Sequence, residues 1–351
     1  MRMLDAFRRQ AAACAELGSP MYAELLDRCS DDIAAGGVVA EVLAGHEDDP
    51  GPSALALRLL GSVHRLVLER RAGDLATFYP SVGGTWEPGG GWTAFVRLLR
   101  EEPDDVRAWL DRPPQTNEVG RAGALMGGLL HLRHRLPVRL FEIGSSGGLN
   151  LLVDRFAYGD ASGSIFGDPA SAVHLHDAWR GRPLEPWPGL EVVERLGCDV
   201  MPVDVRTTDG RLALTAYVWP DQRERLERLR GALAVAQEHP VEVRRSSARD
   251  FVAGLELRPG ATTVLWHSVM WQYLDDDEQR DVTAGIERLG EAASSEAPFA
   301  HLQLEQVRRT PTSDHAFLVV LTEWPTGERR LLGTSRGHGV PTDWDEMPST
   351  G

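Results

Sequence analysis

The chain has 351 residues, 42% hydrophobic and 25% charged, the profile of a folded globular protein long enough for two structural units. Acidic residues outnumber basic ones 52 to 37, a formal net charge of −15, so phosphate backbones are repelled and nucleic acid is not an expected partner. All 37 basic residues are Arg, which excludes a Schiff-base lysine and a P-loop.

No segment approaches the ~20 apolar residues of a membrane span. The opening MRMLDAFRRQAAACAEL carries charges where a secretory signal keeps an apolar run. Cys14, Cys29 and Cys198 are far apart, without a CxxC pair, and offer neither a disulfide frame nor a zinc cluster. A cytoplasmic protein with no membrane partner and no metal is expected.

Residues 1 to about 135 read as a helical domain. Ser19-Pro20 marks a helix start, with Ser as N-cap and Pro at the first helical position. Ser53 opens a second helix in which Leu55, Leu59, Val63, Leu66 and Val67 recur at helical spacing. A further helix is expected from about Asn117 through AGALMGGLLHLRHRL. Residues 136–351 change pattern: VRLFEIGSS is a strand ending in a tight turn, and GLNLLVDRF reads as the helix that follows. The stretch near 158–188, rich in Gly, Pro and Trp, reads as an insertion of loops and short strands. LEVVERLGCDV, VEVRR, ATTVLWHS and PFAHLQLEQ are four more strands, interleaved with charged helices. HAFLVVLTEW-PTG-ERRLLGTS is a closing β-hairpin. The expected fold class is α/β: a mostly parallel, Rossmann-like sheet with a C-terminal antiparallel hairpin, an ending that resembles the methyltransferase type of that fold, preceded by the helical domain.

The most informative segment runs from Leu140 to Asn150, LFEIGSSGGLN. Glu142 sits on the strand, and Gly144, Ser146, Gly147 and Gly148 make the turn, where glycine lets a ligand approach the backbone. Two chemistries use such a turn. One is binding of S-adenosylmethionine (SAM), for which the acid offers an anion to a cationic amino-acid ligand. The other is hydrolysis: Gly144 to Gly148 also spells G-x-S-x-G, with Ser146 as nucleophile, Asp314 or Glu323 as acid and His338 as base. That fold places several strands before the nucleophile, where this chain has helices, and it uses an HGGG-type loop that Gly89-Gly90-Gly91 does not supply. A third reading keeps the fold as a non-catalytic binding module.

From about Pro137 to Ser335 the chain resembles the class I SAM-dependent methyltransferases: Glu142, Gly144, Ser146 and Gly148 match their acid-then-glycine pattern. The resemblance implies that Asp199, ending the second strand, holds the ribose, although it lies about 50 residues beyond the turn instead of the usual ~20. It implies that Asp250 lies near the adenine, and that the end of the fourth strand, Trp266-His267-Ser268, faces the transferred methyl, where His267 is the candidate general base for a small-molecule acceptor. More narrowly, TNEVGRAGAL, EIGSSGGLNLLVDRF, FGDP, GCDVMPVDV, VWPDQRERLERL and WHSVMWQYL together resemble the bacterial family domain of unknown function 2332. Asn117 and Asn150, the two Asn residues of the chain, fall in these segments and join Arg121 as candidate cofactor contacts.

Overall fold

In the computed structural model, which describes residues 2–49, 54–310 and 313–344, the chain forms two compact units, 1–116 with 207–227, and 117–206 with 228–351. The first is helical: α1 (Arg2–Glu16), α2 (Pro20–Ala34), α3 (Val38–Val42), α4 (Leu55–Leu68), α5 (Pro88–Glu101) and α6 (Pro103–Arg107). Ser19 caps α2 by accepting from Tyr22 N, as the Ser-Pro pair implies. Ser53 lies outside the described residues, but the spaced apolar residues of α4, Leu55, Leu59, Val63, Leu66 and Val67, are all buried in this unit's core.

The segment 207–227 returns to this unit because its polar groups find partners there. Asp221 accepts from Ser19 Oγ at 2.6 Å and from Met21 N at 3.0 Å. The Ala216 carbonyl meets the buried His64 Nδ1 at 3.1 Å. Gly61 leaves room for Tyr217, whose ring would lie 2.7 Å from an added Cβ.

The second unit is mixed α/β. Between α7 (Ala122–Leu130) and the chain end run β1 (Val138–Ile143), β2 (Ala157–Asp160), β3 (Ile165–Gly167), β4 (His174–Gly181), β5 (Val192–Asp199), β6 (Glu242–Arg245), β7 (Thr262–Ser268), β8 (Phe299–Arg308), β9 (His315–Trp324), β10 (Glu328–Ser335) and β11 (Thr342–Trp344). Helix α8 (Thr208–Ala216) belongs to the first unit, and α9 (Arg223–Glu238) crosses the division between 227 and 228. Helices α10 (Ala248–Ala253) and α11 (Asp276–Ala292) connect β6 to β7 and β7 to β8. One sheet holds the eleven strands of the described residues in the order β3-β2-β4-β11-β10-β9-β8-β7-β1-β5-β6. β6, β5, β1, β7 and β8 are mutually parallel, and β9 and β10 add the antiparallel hairpin expected from the sequence. No described helix is long and apolar enough to cross a membrane.

Side chains alternate across a strand, so each strand divides its residues between two faces. Phe141 and Ile143 of β1, Leu265 of β7 and Phe299 of β8 pack with Phe251 and Val252 of α10 and with Val282, Ile286 and Leu289 of α11. Leu140 and Glu142 therefore point to the opposite face, which carries α7. Gly127 and Gly128 let α7 lie close there: an added Cβ would stand 2.0 Å from Trp344 Cζ2 and 2.4 Å from Leu302 Cδ2. Gly127→Ala is expected to lower the unfolding midpoint. The gain in helix propensity is about 1 kcal/mol, but driving a methyl into a fixed indole costs roughly 1–3 kcal/mol. A midpoint that rises would show that Trp344 moves freely.

One expectation needs revision. Leu149–Arg155, expected as an α-helix, is a 3-10 segment with a non-helical Leu152. Five of its seven residues are buried, so no polar face is left to set a 3.6-residue period. The insertion near 158–188 supplies β2, β3 and β4, which join the sheet through β11.

Candidate functional site

The order of the parallel strands reverses between β1 and β7: the next strand of the series after β1, β5, lies on one side of β1, and β7 lies on the other. In open α/β sheets ligands bind at such a switch point, outside the carboxyl ends of the strands. Here those ends carry Gly144–Gly148 and Val269–Tyr273.

Glu142, one turn of the pleat below Gly144, is 2% exposed. Its register partners are Trp266 on β7 and Gly197 on β5. Because Gly197 has no side chain, Ser145 lies over it, and Ser145 Oγ donates to the Glu142 carbonyl at 2.7 Å. Burial pushes the Glu142 carboxyl up to about 8 from its ordinary 4.5, and nearby Asp199 adds to the rise; the Trp266 and Asn150 side chains and the Arg121 charge pull it down. These neighbours approach without good hydrogen-bond geometry: Glu142 Oε2, Asn150 Oδ1 and Trp266 Nε1 are all buried and unpartnered. Three unsatisfied polar atoms around one carboxyl are costly, since each forfeits about 1–3 kcal/mol of hydration. Such clusters in native proteins call for a functional explanation.

The turn itself is held from two sides. Asp199 Oδ2 accepts from Ser146 N at 2.9 Å, and its Oδ1 accepts from Met201 N at 2.8 Å. Asn117 Oδ1 accepts from Leu149 N at 3.0 Å. Ser145 N donates to the Cys198 carbonyl and Gly148 N to the Ser145 carbonyl. Four amides of the turn are thus satisfied within the protein, so this is not a phosphate cradle of the kind found at a free helix N-terminus. Ser146 adopts φ +53° and Gly148 φ +74°. On the opposite lip Val269 adopts φ +51°, a left-handed conformation that a β-branched residue rarely takes. Strain on both lips of one crevice is the pattern seen at ligand sites.

Of the residues singled out in the sequence, the structure gathers Glu142, Asn150 and Arg121 around one carboxyl, and Gly144, Ser146, Gly147, Gly148, Asp199 and Asn117 in or against the turn. Arg121 also ties the β7 lip to the C-terminal loop, donating to the Ser268 carbonyl at 3.3 Å and the Gly337 carbonyl at 3.1 Å. Asp250 stands apart: it is exposed and accepts from the hydroxyl of Ser247, the N-cap of α10. His267 is placed differently from the expectation. It alternates with Trp266 and so points to the α10–α11 face, fully buried, with Nδ1 2.8 Å from Glu305 Oε1 and Nε2 3.0 Å from His301 Nε2. A base on that face is separated by the sheet from a ligand on Glu142.

For the hydrolase triad, Glu323 pairs across β8 and β7 with the level of Leu140, three strands from β1 or about 14 Å at ~4.8 Å per strand. It is bound to Arg330 and to Arg133 N. Asp314 is exposed just before β9. Sequence reasoning missed Met270, which lies against Gly144: a Cβ there would meet its Cβ and Cγ at 3.0 Å. It also missed Glu305, whose only sequence signal is an acid near the end of an apolar strand.

No curated protein and no solved structure matches this chain. A family described as uncharacterized protein conserved in bacteria (DUF2332) matches residues 4–344, and the chain belongs to that family.

Proposed function

We propose that the second unit is a Rossmann-like methyltransferase domain that binds SAM in the β1–β7 crevice and methylates a small-molecule acceptor. The observation that carries the reading is Glu142: a buried, incompletely hydrogen-bonded acid at the switch point, beside a glycine turn with four of its amides already occupied. Such a site suits a cation better than a phosphate. The strand order supports the same reading. β6-β5-β1-β7-β8 is the 3-2-1-4-5 series of doubly wound nucleotide-binding sheets. An antiparallel strand, β9, stands beside the fifth, although here the chain continues outward through β10.

The side chains divide the work. Glu142, ionised by the ligand, holds the ammonium of the methionine part, and Asn150 turns its free Oδ1 to the same group. Asp199 keeps a second lone pair on each oxygen for ribose hydroxyls while its first pair fixes the turn. Gly144 leaves room for Met270, whose side chain lies against the turn. Bound there, SAM supplies a sulfonium methyl for in-line displacement, a reaction in which positioning supplies most of the catalysis.

The φ +53° of Ser146 favours one competing reading, a strained nucleophile at a strand–turn junction. Calorimetric titration with SAM and S-adenosylhomocysteine separates the two. Roughly micromolar binding is expected in the wild type, lost in Glu142→Ala and kept in Ser146→Ala. Absence of binding to either ligand sinks the methyltransferase reading, and ester hydrolysis abolished by Ser146→Ala would establish the hydrolase. Binding without turnover on any acceptor would mark a binding module.

A further inference from the structure

On the α10–α11 face of the sheet, behind the crevice, three polar side chains form a chain, with Glu305 and His267 buried and His301 half-buried. Glu305 Oε1 is within 2.8 Å of His267 Nδ1, and His267 Nε2 is 3.0 Å from His301 Nε2. The proton order follows from the acceptor at one end. Glu305 takes the Nδ1–H of His267, so a neutral His267 presents a bare Nε2, and His301 donates to it. Burial holds the His301 pKa well below its ordinary 6.5, consistent with a neutral donor.

The same Glu305 oxygen accepts two backbone amides from the crevice lip, Met270 N at 3.1 Å and Trp271 N at 3.3 Å. The Trp271 ring stacks on His267 with centroids 5.2 Å apart. Val269, held at φ +51° by its own bond to the Leu304 carbonyl, reverses the chain between β7 and these amides. The outcome of that reversal is the side chain of Met270 against Gly144. A strained loop persists only where its surroundings over-determine it. One carboxylate oxygen gathering three donors is such a determinant, since hydrogen bonds to a charged group are the strong ones.

We propose that Glu305 is a positioning residue that acts through the sheet: with His267 and His301 behind it, it fixes the β7 lip so that Met270 sits over Gly144 and shapes the ligand crevice. The arrangement of the lip is independent of what binds; that the ligand is SAM rests on the preceding reading.

Hydrogen–deuterium exchange of residues 266–274 in the full chain tests the lip, and SAM titration tests its effect on the crevice. In the wild type, Met270 and Trp271 amides are expected to exchange as slowly as those of β7. Exchange at the rate of exposed loops overturns the proposal without any variant. In Glu305→Ala the two amides are expected to exchange at least about 100-fold faster, with SAM affinity down at least about tenfold. Glu305→Gln keeps the acceptor oxygen and is expected to restore both toward wild type. A merely structural role predicts instead that Gln and Ala lower the melting temperature together without this local difference. Unchanged exchange in a folded Glu305→Ala, or faster exchange with unaltered SAM affinity, overturns the proposal. If the wild type binds no SAM, the methyltransferase reading fails, and the exchange contrast between Ala and Gln decides for or against the lip assignment.

Discussion

SAM affinity is expected to be bell-shaped in pH, with its maximum near 8. The ligand-free carboxyl of Glu142 is pushed up to about 8 by burial, so at pH 6 it is almost wholly protonated. A cationic ammonium requires the ionised form, and binding must then release a proton. Below pH 8 the affinity should therefore rise by up to tenfold per pH unit. Above pH 8 the ligand's own α-amino group, which titrates near ~7.7–8.0, loses its charge and the affinity falls. Glu142→Gln removes the carboxyl and with it the ascending limb, leaving a flat profile that falls only above ~8. Its affinity at the optimum should be weaker by the value of a charged hydrogen bond, about 1.5–3 kcal/mol or roughly ten- to a hundredfold. Calorimetry in buffers of different ionisation enthalpy counts the proton directly. A wild-type profile that is flat from pH 6 to 8, with no proton released, would remove Glu142 from the ligand contact.

The division of the site between two faces explains which parts of it could be read in advance. β1 and β7 are buried at every position and appear as largely apolar runs, whereas β5 and β8 are buried only in part and carry polar residues among the apolar ones. Glu142 stood out because an acid in such a run is conspicuous. His267 stood out too, but its face depends on register. Once Glu142 pairs with Trp266, alternation sends His267 to the other side, and the one-dimensional sequence does not print that pairing. Distance along the chain hid the rest. Asp221 belongs with Ser19, two hundred residues away, and β4 finds β11 only after the whole parallel sheet has been built. Asn117 is an intermediate case: it was conspicuous by rarity, yet its partner, Leu149 N, lies across a strand.

The same carboxyl should also control the stability of the ligand-free protein, with the opposite sign. For an acid whose pKa is higher folded than unfolded, the folded state binds more protons between the two values, so stability falls as pH rises through that window. For Glu142 the window runs from about 4.5 to about 8. Across it the wild type loses of the order of 4 kcal/mol, because 1.36 kcal/mol attaches to each pH unit between the two values. Gln carries the same shape with no charge to bury. The melting temperature of Glu142→Gln should therefore match wild type near pH 4.5 and exceed it by several degrees or more at pH 9. All other titrations are common to both proteins and cancel in the difference. Saturating SAM should narrow that gap at pH 8 without closing it, since the roughly ten- to hundredfold tighter binding of the wild type returns about 1.5–3 kcal/mol of the ~4 kcal/mol lost. Curves that stay parallel from pH 4.5 to 9 would mean that Glu142 is already compensated in the folded protein, and the strongest reason for placing a cation beside it would be gone.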